Sequence, residues 1–288
     1  MVPTVSTADN RLKHMYFDFL IADHVIRAED SAVAEFMDGF ECESEKKSAS
    51  DGKSQEPICS VFCASELSSH GVECMTPGHA VSHVLGLTRD HTGVLMADDC
   101  FEHMTLRTRR EEFLGEVLLP GVYSRLIYFG TTFHHGALIH IPGYGGVMFV
   151  GPSRIGKTTQ AMIWEMLRGA EIINGDKVFL GLREDHPGEV MAYGSPWQGS
   201  SPYRVNKRVP LKAVVSLRRQ SEKYIRPLTE EEALTVLMTS TYLPNWDARL
   251  MAHVMDSIGE MLPLLSMYEM SCLPDGSGVD MVAGMIGL

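Results

Sequence analysis

One stretch limits what this chain can fold into more than any other: VMFV-GPSRIGKT-TQAMIWEMLR, residues 147–168. The four apolar residues read as a short strand buried on both faces. The helical spacing of residues 160–168 comes next, and Gly169 stands where a C-capping glycine belongs. Between them, Gly151-Pro-Ser-Arg-Ile-Gly-Lys157-Thr158 matches G-x-x-x-x-G-K-[ST] in the strand–loop–helix setting that motif needs. Gly151 and Gly156 let the backbone wrap until successive N–H groups point at one anion, and the helix N-terminus adds partial positive charge. Gly151, Pro152, Ser153, Arg154, Ile155, Gly156, Lys157, Thr158 and Thr159 are therefore candidate nucleotide-binding residues. Lys157 would reach the β- and γ-phosphates and the Thr158 hydroxyl would ligate Mg²⁺. The ligand expected is a nucleoside triphosphate, ATP first, with Mg²⁺.

Phosphoryl transfer also needs a carboxylate at the end of a neighbouring strand. Ile172-Ile173-Asn174-Gly175-Asp176 supplies one: two apolar residues end a strand, Gly175 allows a bend, and Asp176 emerges at the carboxyl edge where open α/β sheets hold ligands. An Asx turn closing the strand is the plainer reading of the same residues. Asp176 is the candidate base and, with Thr158, the candidate metal ligand.

Around this centre, residues 137–141 (ALIHI) read as strand, 142–146 (PGYGG) as a tight turn and 213–217 (AVVSL) as strand. Residues 229–238 read as a helix with a capping box, Thr229 at the N-cap and Glu232 three residues on. Residues 251–265 read as a Met- and Leu-rich packing helix. The first 130 residues read as a mixed α/β region without a motif. Strand is expected at 15–27, 57–63, 93–97 and 100–105, and a short helix or turn at 32–40. The polar stretch 41–57 is expected to be an exposed loop, 106–110 an exposed turn with internal ion pairs, and 114–129 a helix packed against the next domain. Of six cysteines, five precede residue 101, but Cys59, Cys63, Cys74 and His79 fit no zinc spacing, so free thiols are expected.

The run HHGALIHIPGYGGVMFVGPSRIGKTT…GAEIINGDKVFL…YGSPW…VPLKAVVSL resembles the HPr kinase/phosphorylase family, over roughly residues 131–288. That resemblance implies a P-loop domain of the phosphoenolpyruvate-carboxykinase-like type, so the expected fold is α/β with that domain at 131–288 and the mixed region at 1–130. It also implies an ATP-dependent kinase acting on a serine or similar hydroxyl. The family's histidine near the transferred phosphate falls on His135, and its Asp-Asp pair falls on Gly175-Asp176, where one carboxylate remains. Thr159 stands where the family often has an acidic residue, and the glycine- and arginine-bearing signature of the carbohydrate-regulating members is missing. HPr itself is therefore not the expected acceptor.

Residues 193–206 (YGSPWQGSSPYRVN) read as a polar loop with Trp197, Arg204 and Asn206 as candidate substrate contacts. Trp197 either stacks on a ligand or is tucked into the core. One of Arg204, Lys207 and Arg208 is expected to meet transferring charge. The net charge of −12 disfavours nucleic acid and anionic membrane as partners, and no apolar run approaches the ~20 residues of a membrane span. A cytoplasmic setting is expected, with a peptide or protein substrate and homo-oligomerisation left open. A small-molecule hydroxyl kinase and a nucleotide-binding regulator without catalysis stand as alternatives, and keto-acid carboxylation ranks last.

Overall fold

The N-terminal run FDFLIADHVIRA turns back on itself. In the computed structural model, which describes residues 17–28, 31–42, 56–63, 82–86, 93–108, 113–199 and 201–288, it forms strands β1 (Phe17–Ile21) and β2 (His24–Ala28), paired antiparallel. The expected single strand is corrected to a hairpin. Ala22 (φ 49°) and Asp23 (φ 65°) make a two-residue turn in left-handed backbone, without the glycine that usually announces one. Arg208 Nη1 donates to Asp23 at 2.9 Å, so a residue far along the chain braces the turn.

The N-terminal elements continue with α1 (Ser31–Phe36), β3 (Cys59–Cys63), β4 (His83–Gly86), β5 (Gly93–Ala97), β6 (His103–Thr108) and α2 (Leu114–Ile127). Their strands form a six-stranded sheet in the order β1-β2-β3-β6-β5-β4. The turn expected at 106–110 is corrected as far as Thr108, which ends β6; residues 109 and 110 lie outside the described residues. So do most of the polar stretch (43–55), Cys74 and His79. α2 is buried on nearly every face, which is why its sequence lacks an amphipathic stripe. At Gly121 an added Cβ would lie 2.6 Å from Leu95 and Met104 side-chain atoms, so the helix rests directly on the sheet.

The second half consists of β7 (Thr132–Ile141), β8 (Gly145–Val150), α3 (Lys157–Arg168), β9 (Glu171–Asn174), β10 (Lys177–Leu182), β11 (Val190–Tyr193), β12 (Arg208–Arg218), β13 (Tyr224–Pro227), α4 (Glu230–Ser240), α5 (Ala248–Met261), β14 (Met267–Ser271) and α6 (Ser277–Ile286). An eight-stranded sheet runs β11-β10-β7-β8-β12-β14-β13, with β9 also on β7. The strand alternation sorts the core into two layers. Leu138, Met148, Val150 and Val214 join α2, α4 and α5 in one cluster that also takes in the N-terminal sheet. Ala137, Ile139, Val147, Phe149, Ala213 and Val215 face α3 and α6 in another. β8 is thus apolar throughout because both its faces are covered. The capping box of α4 is present, Thr229 Oγ1 accepting from Glu232 N and Glu232 Oε2 from Thr229 N.

β8, β12 and β14 are parallel, so their carboxyl ends open at one edge of the sheet. The loop after β8 begins at that edge. Among the described residues no helix is long and apolar enough to cross a membrane.

Candidate functional site

The loop between β8 and α3 has the backbone its glycines permit: Gly151 at φ 136° and Gly156 at φ 113°, with Arg154 also left-handed at φ 62°. Gly156 caps α3 with no side-chain hydrogen bond, so the first-turn amides and the positive end of a twelve-residue helix face outward from the loop. Pro152, Ser153, Arg154 and Thr159 are exposed, whereas Lys157 is 6 % exposed. Its ammonium donates to the Gly151 carbonyl at 3.0 Å and the Pro152 carbonyl at 3.1 Å. Burial holds the Lys157 pKa below its usual value, opposed by the Asp176 charge. An uncapped helix start, a lysine lying across the loop and a hydroxyl at Thr158 form a donor set that fits a polyphosphate.

Asp176 is placed by its neighbour Asn174, whose side chain is fully buried. Asn174 Oδ1 accepts from the backbone N–H of Asp176 at 2.9 Å and of Lys177 at 2.8 Å, an Asx turn. Its Nδ2 donates to the Ser195 and Trp197 carbonyls at 3.0 and 3.1 Å. The Asx turn and the emerging carboxylate, which the sequence offered as alternatives, coexist: the turn is what aims Asp176. Thr158 Oγ1 donates to the Gly175 carbonyl at 3.0 Å, tying α3 to the same turn.

Asp176 Oδ1 lies 3.3 Å from His135 Nε2 and its other oxygen 3.5 Å from Lys177 Nζ. The His135 pKa is lowered, by burial first; Asp176 raises it, and Lys157 and Lys177 lower it further. Its imidazole is therefore neutral at pH 7 and can accept a proton. A Cβ on Gly199 would lie 2.4 Å from Asp176 Oδ2, so the backbone at 199 backs the carboxylate directly. A cleft of about 520 Å³ opens beside the loop, lined by His135, Gly151, Pro152 and Ser153, by Ser216 and Arg218 at the end of β12, and by Val236, Thr239 and Ser240 of α4. The parts that Asn174, Gly199 and Arg218 play at the site escaped the sequence reading. Only Asn174 left a trace there, in its place two residues before Asp176.

Trp197 is 4 % exposed and packs near Phe36, Phe133 and Phe179, with ring centroids 5.9, 6.5 and 6.0 Å away. Its Nε1 donates to the Gly115 carbonyl of α2 at 2.8 Å, so its candidate role as a substrate contact gives way to a core one. Residues 203–205 run beside β9, with Val205 N–H donating to Ile173 and Gly175 N–H to Tyr203. Arg204 donates to the Phe36 carbonyl at 2.7 Å, Lys207 is bonded to Glu171, and Arg208 pairs with Asp23 and Asp185. Each of those three cations thus has a partner within the fold. Asn206 is exposed. A separate trio of metal-ligating types, Asp98, Glu102 and His103, closes the β5–β6 turn: Asp98 accepts from the backbone N–H groups of Glu102 and His103, and Glu102 pairs with Arg125. Cys59 is buried and Cys100 exposed, and burial pushes the Cys59 thiol pKa up to about 12.

No protein-family model matches the chain, and no curated protein matches it. Among solved structures, the chain is similar to the Hpr(Ser) kinase/phosphatase from Coxiella burnetii, with 11 % identity and a TM-score of 0.30 over 54 % of this chain and 93 % of that one.

Proposed function

We propose that the protein transfers the terminal phosphoryl group of ATP to a hydroxyl, the serine of a peptide or protein, on a P-loop domain of the phosphoenolpyruvate-carboxykinase-like type. One observation carries this reading. The His135–Asp176 pair, 3.3 Å apart, stands at the mouth of the loop within electrostatic reach of Lys157. The loop amides and Lys157 would hold the phosphates. Thr158 and Asp176 would hold Mg²⁺, which neutralises phosphate charge when bound. Asp176, oriented by Asn174, would accept the proton of the acceptor hydroxyl directly or through His135, whose neutral ring is suited to it. The cleft beside His135 is open enough for a peptide segment and is lined with hydroxyls at Ser216, Thr239 and Ser240. Those features favour a peptide acceptor over a small enclosed one.

The test pairs nucleotide binding with turnover. Calorimetry should give saturable Mg·ATP binding, and labelled ATP should mark serine in a peptide pool. Asp176→Asn should lower the transfer rate by roughly 10²- to 10⁴-fold while leaving the affinity for metal-free ATP within about threefold. Unchanged transfer would refute Asp176 as base. Binding without turnover on any acceptor would favour the regulatory reading, which the single carboxylate at the site also supports.

A further inference from the structure

We propose that Arg218 is the arginine that meets the terminal phosphoryl group, in place of the basic cluster at 204–208. This rests on the reading of residues 151–158 as a triphosphate loop and adds the group that distinguishes a third phosphate from the second.

The position follows from strand register. β12 runs parallel to β8 with Ser216 opposite Val150, so Arg218 emerges alongside the first residues of the loop. The backbones touch there: a Cβ on Gly151 would lie 3.0 Å from the Leu217 carbonyl oxygen. The lysine of such a loop serves the β- and γ-phosphates. The ammonium of Lys157 lies on the Gly151 and Pro152 carbonyls, which marks that end of the loop as the one for the terminal phosphate. Gly151, Pro152, His135 and Arg218 line one cleft. Arg218 therefore stands on the opposite flank of the loop from Asp176, with the reacting group's place between them.

The side chain is also prepared for the task. Arg218 Nε donates to Glu269 Oε2 at 2.9 Å. Glu269 is only 9 % exposed and is fixed in turn by the Tyr224 hydroxyl at 2.8 Å and by Arg226 at 3.0 Å. One edge of the guanidinium is thus pinned to a rigid strand, and the half-exposed side chain lines the cleft. A guanidinium held this way gives paired hydrogen bonds to phosphate oxygens at little cost in side-chain entropy. The three cations of the 204–208 cluster have partners elsewhere: Arg204 on Phe36, Lys207 on Glu171, Arg208 on Asp23.

The experiment compares Mg·ATP and Mg·ADP affinities by calorimetry, so it needs no acceptor. The wild type should bind Mg·ATP about tenfold or more tightly than Mg·ADP, as charge-assisted bonds to the third phosphate require. Arg218→Gln should bring that ratio to within about twofold of one while leaving Mg·ADP affinity unchanged. Arg218→Lys, which keeps the charge and loses the fork, should fall between, and covers the case in which the glutamine variant does not fold. Arg204→Gln should keep the wild-type ratio. If Arg218→Gln or Arg218→Lys retains the full preference for ATP, or if Arg204→Gln abolishes it, Arg218 is not the residue. If neither nucleotide binds the wild type, the phosphate-loop reading itself fails, a result distinct from a ratio that ignores Arg218.

Discussion

Replacing Asn174 by alanine tests how the fold sets the site. Four hydrogen bonds between 2.8 and 3.1 Å leave with the side chain. Each contributes a net of about 1 kcal/mol, and a group left buried without a partner costs about 1–3 kcal/mol. The Trp197 carbonyl keeps a second donor in Ser195 Oγ at 2.9 Å, so it is not orphaned. The groups that lose their partner are the Ser195 carbonyl and the N–H groups of Asp176 and Lys177. At about 1–3 kcal/mol each these three groups predict a loss of about 3–9 kcal/mol, toward the low end because Asp176 and Lys177 are only half-buried, and still a large share of the ~5–15 kcal/mol a folded protein has. Urea unfolding followed by tryptophan fluorescence should show it as a lower midpoint at unchanged slope. Asp176→Asn, which touches neither the turn amides nor the Asn174 bonds, should leave the unfolding free energy within about 1 kcal/mol of wild type. A loss below about 1 kcal/mol for Asn174→Ala would mean that water replaces the side chain, and that the turn holding Asp176 does not depend on it.

Two further outcomes are expected from the same geometry. Gly199→Ala places a methyl 2.4 Å from Asp176 Oδ2, so the carboxylate must move; phosphoryl transfer should fall at least about tenfold with the affinity for metal-free ATP unchanged, measured by labelled turnover beside calorimetry. Burial pushes the His134 pKa down from 6.5 to about 3, so the unfolded chain binds the proton more readily and stability drops as pH falls below about 6.5, levelling near 3. By pH 5 the loss from this one group is about 2 kcal/mol. His134→Gln should remove that slope, and parallel pH profiles of unfolding free energy for wild type and variant would refute it.

The strand–loop–helix at 147–168 was legible because its information is local. A buried strand, two glycines in left-handed backbone, a lysine and a helix succeed one another within residues 147–168, and no distant residue is needed to specify that order. The same holds for the α4 capping box and for Asp176 at the end of β9, each fixed by residues three or fewer positions apart. Trp197 and Arg204 were not legible: a tryptophan in a glycine-rich loop looks the same in sequence whether it meets a ligand or the Gly115 carbonyl 82 residues earlier. The β1–β2 turn was missed because alanine and aspartate carry no turn signal strong enough to be read without Arg208. Arg218 became visible only through the parallel register of β12 on β8, a pairing across 66 residues that propensity and periodicity do not encode. Sequence by itself determined the strand–loop–helix order and the residue types within it; tertiary structure decided which side chains line the cleft beside it, because strand register and burial set distances that neighbours along the chain cannot.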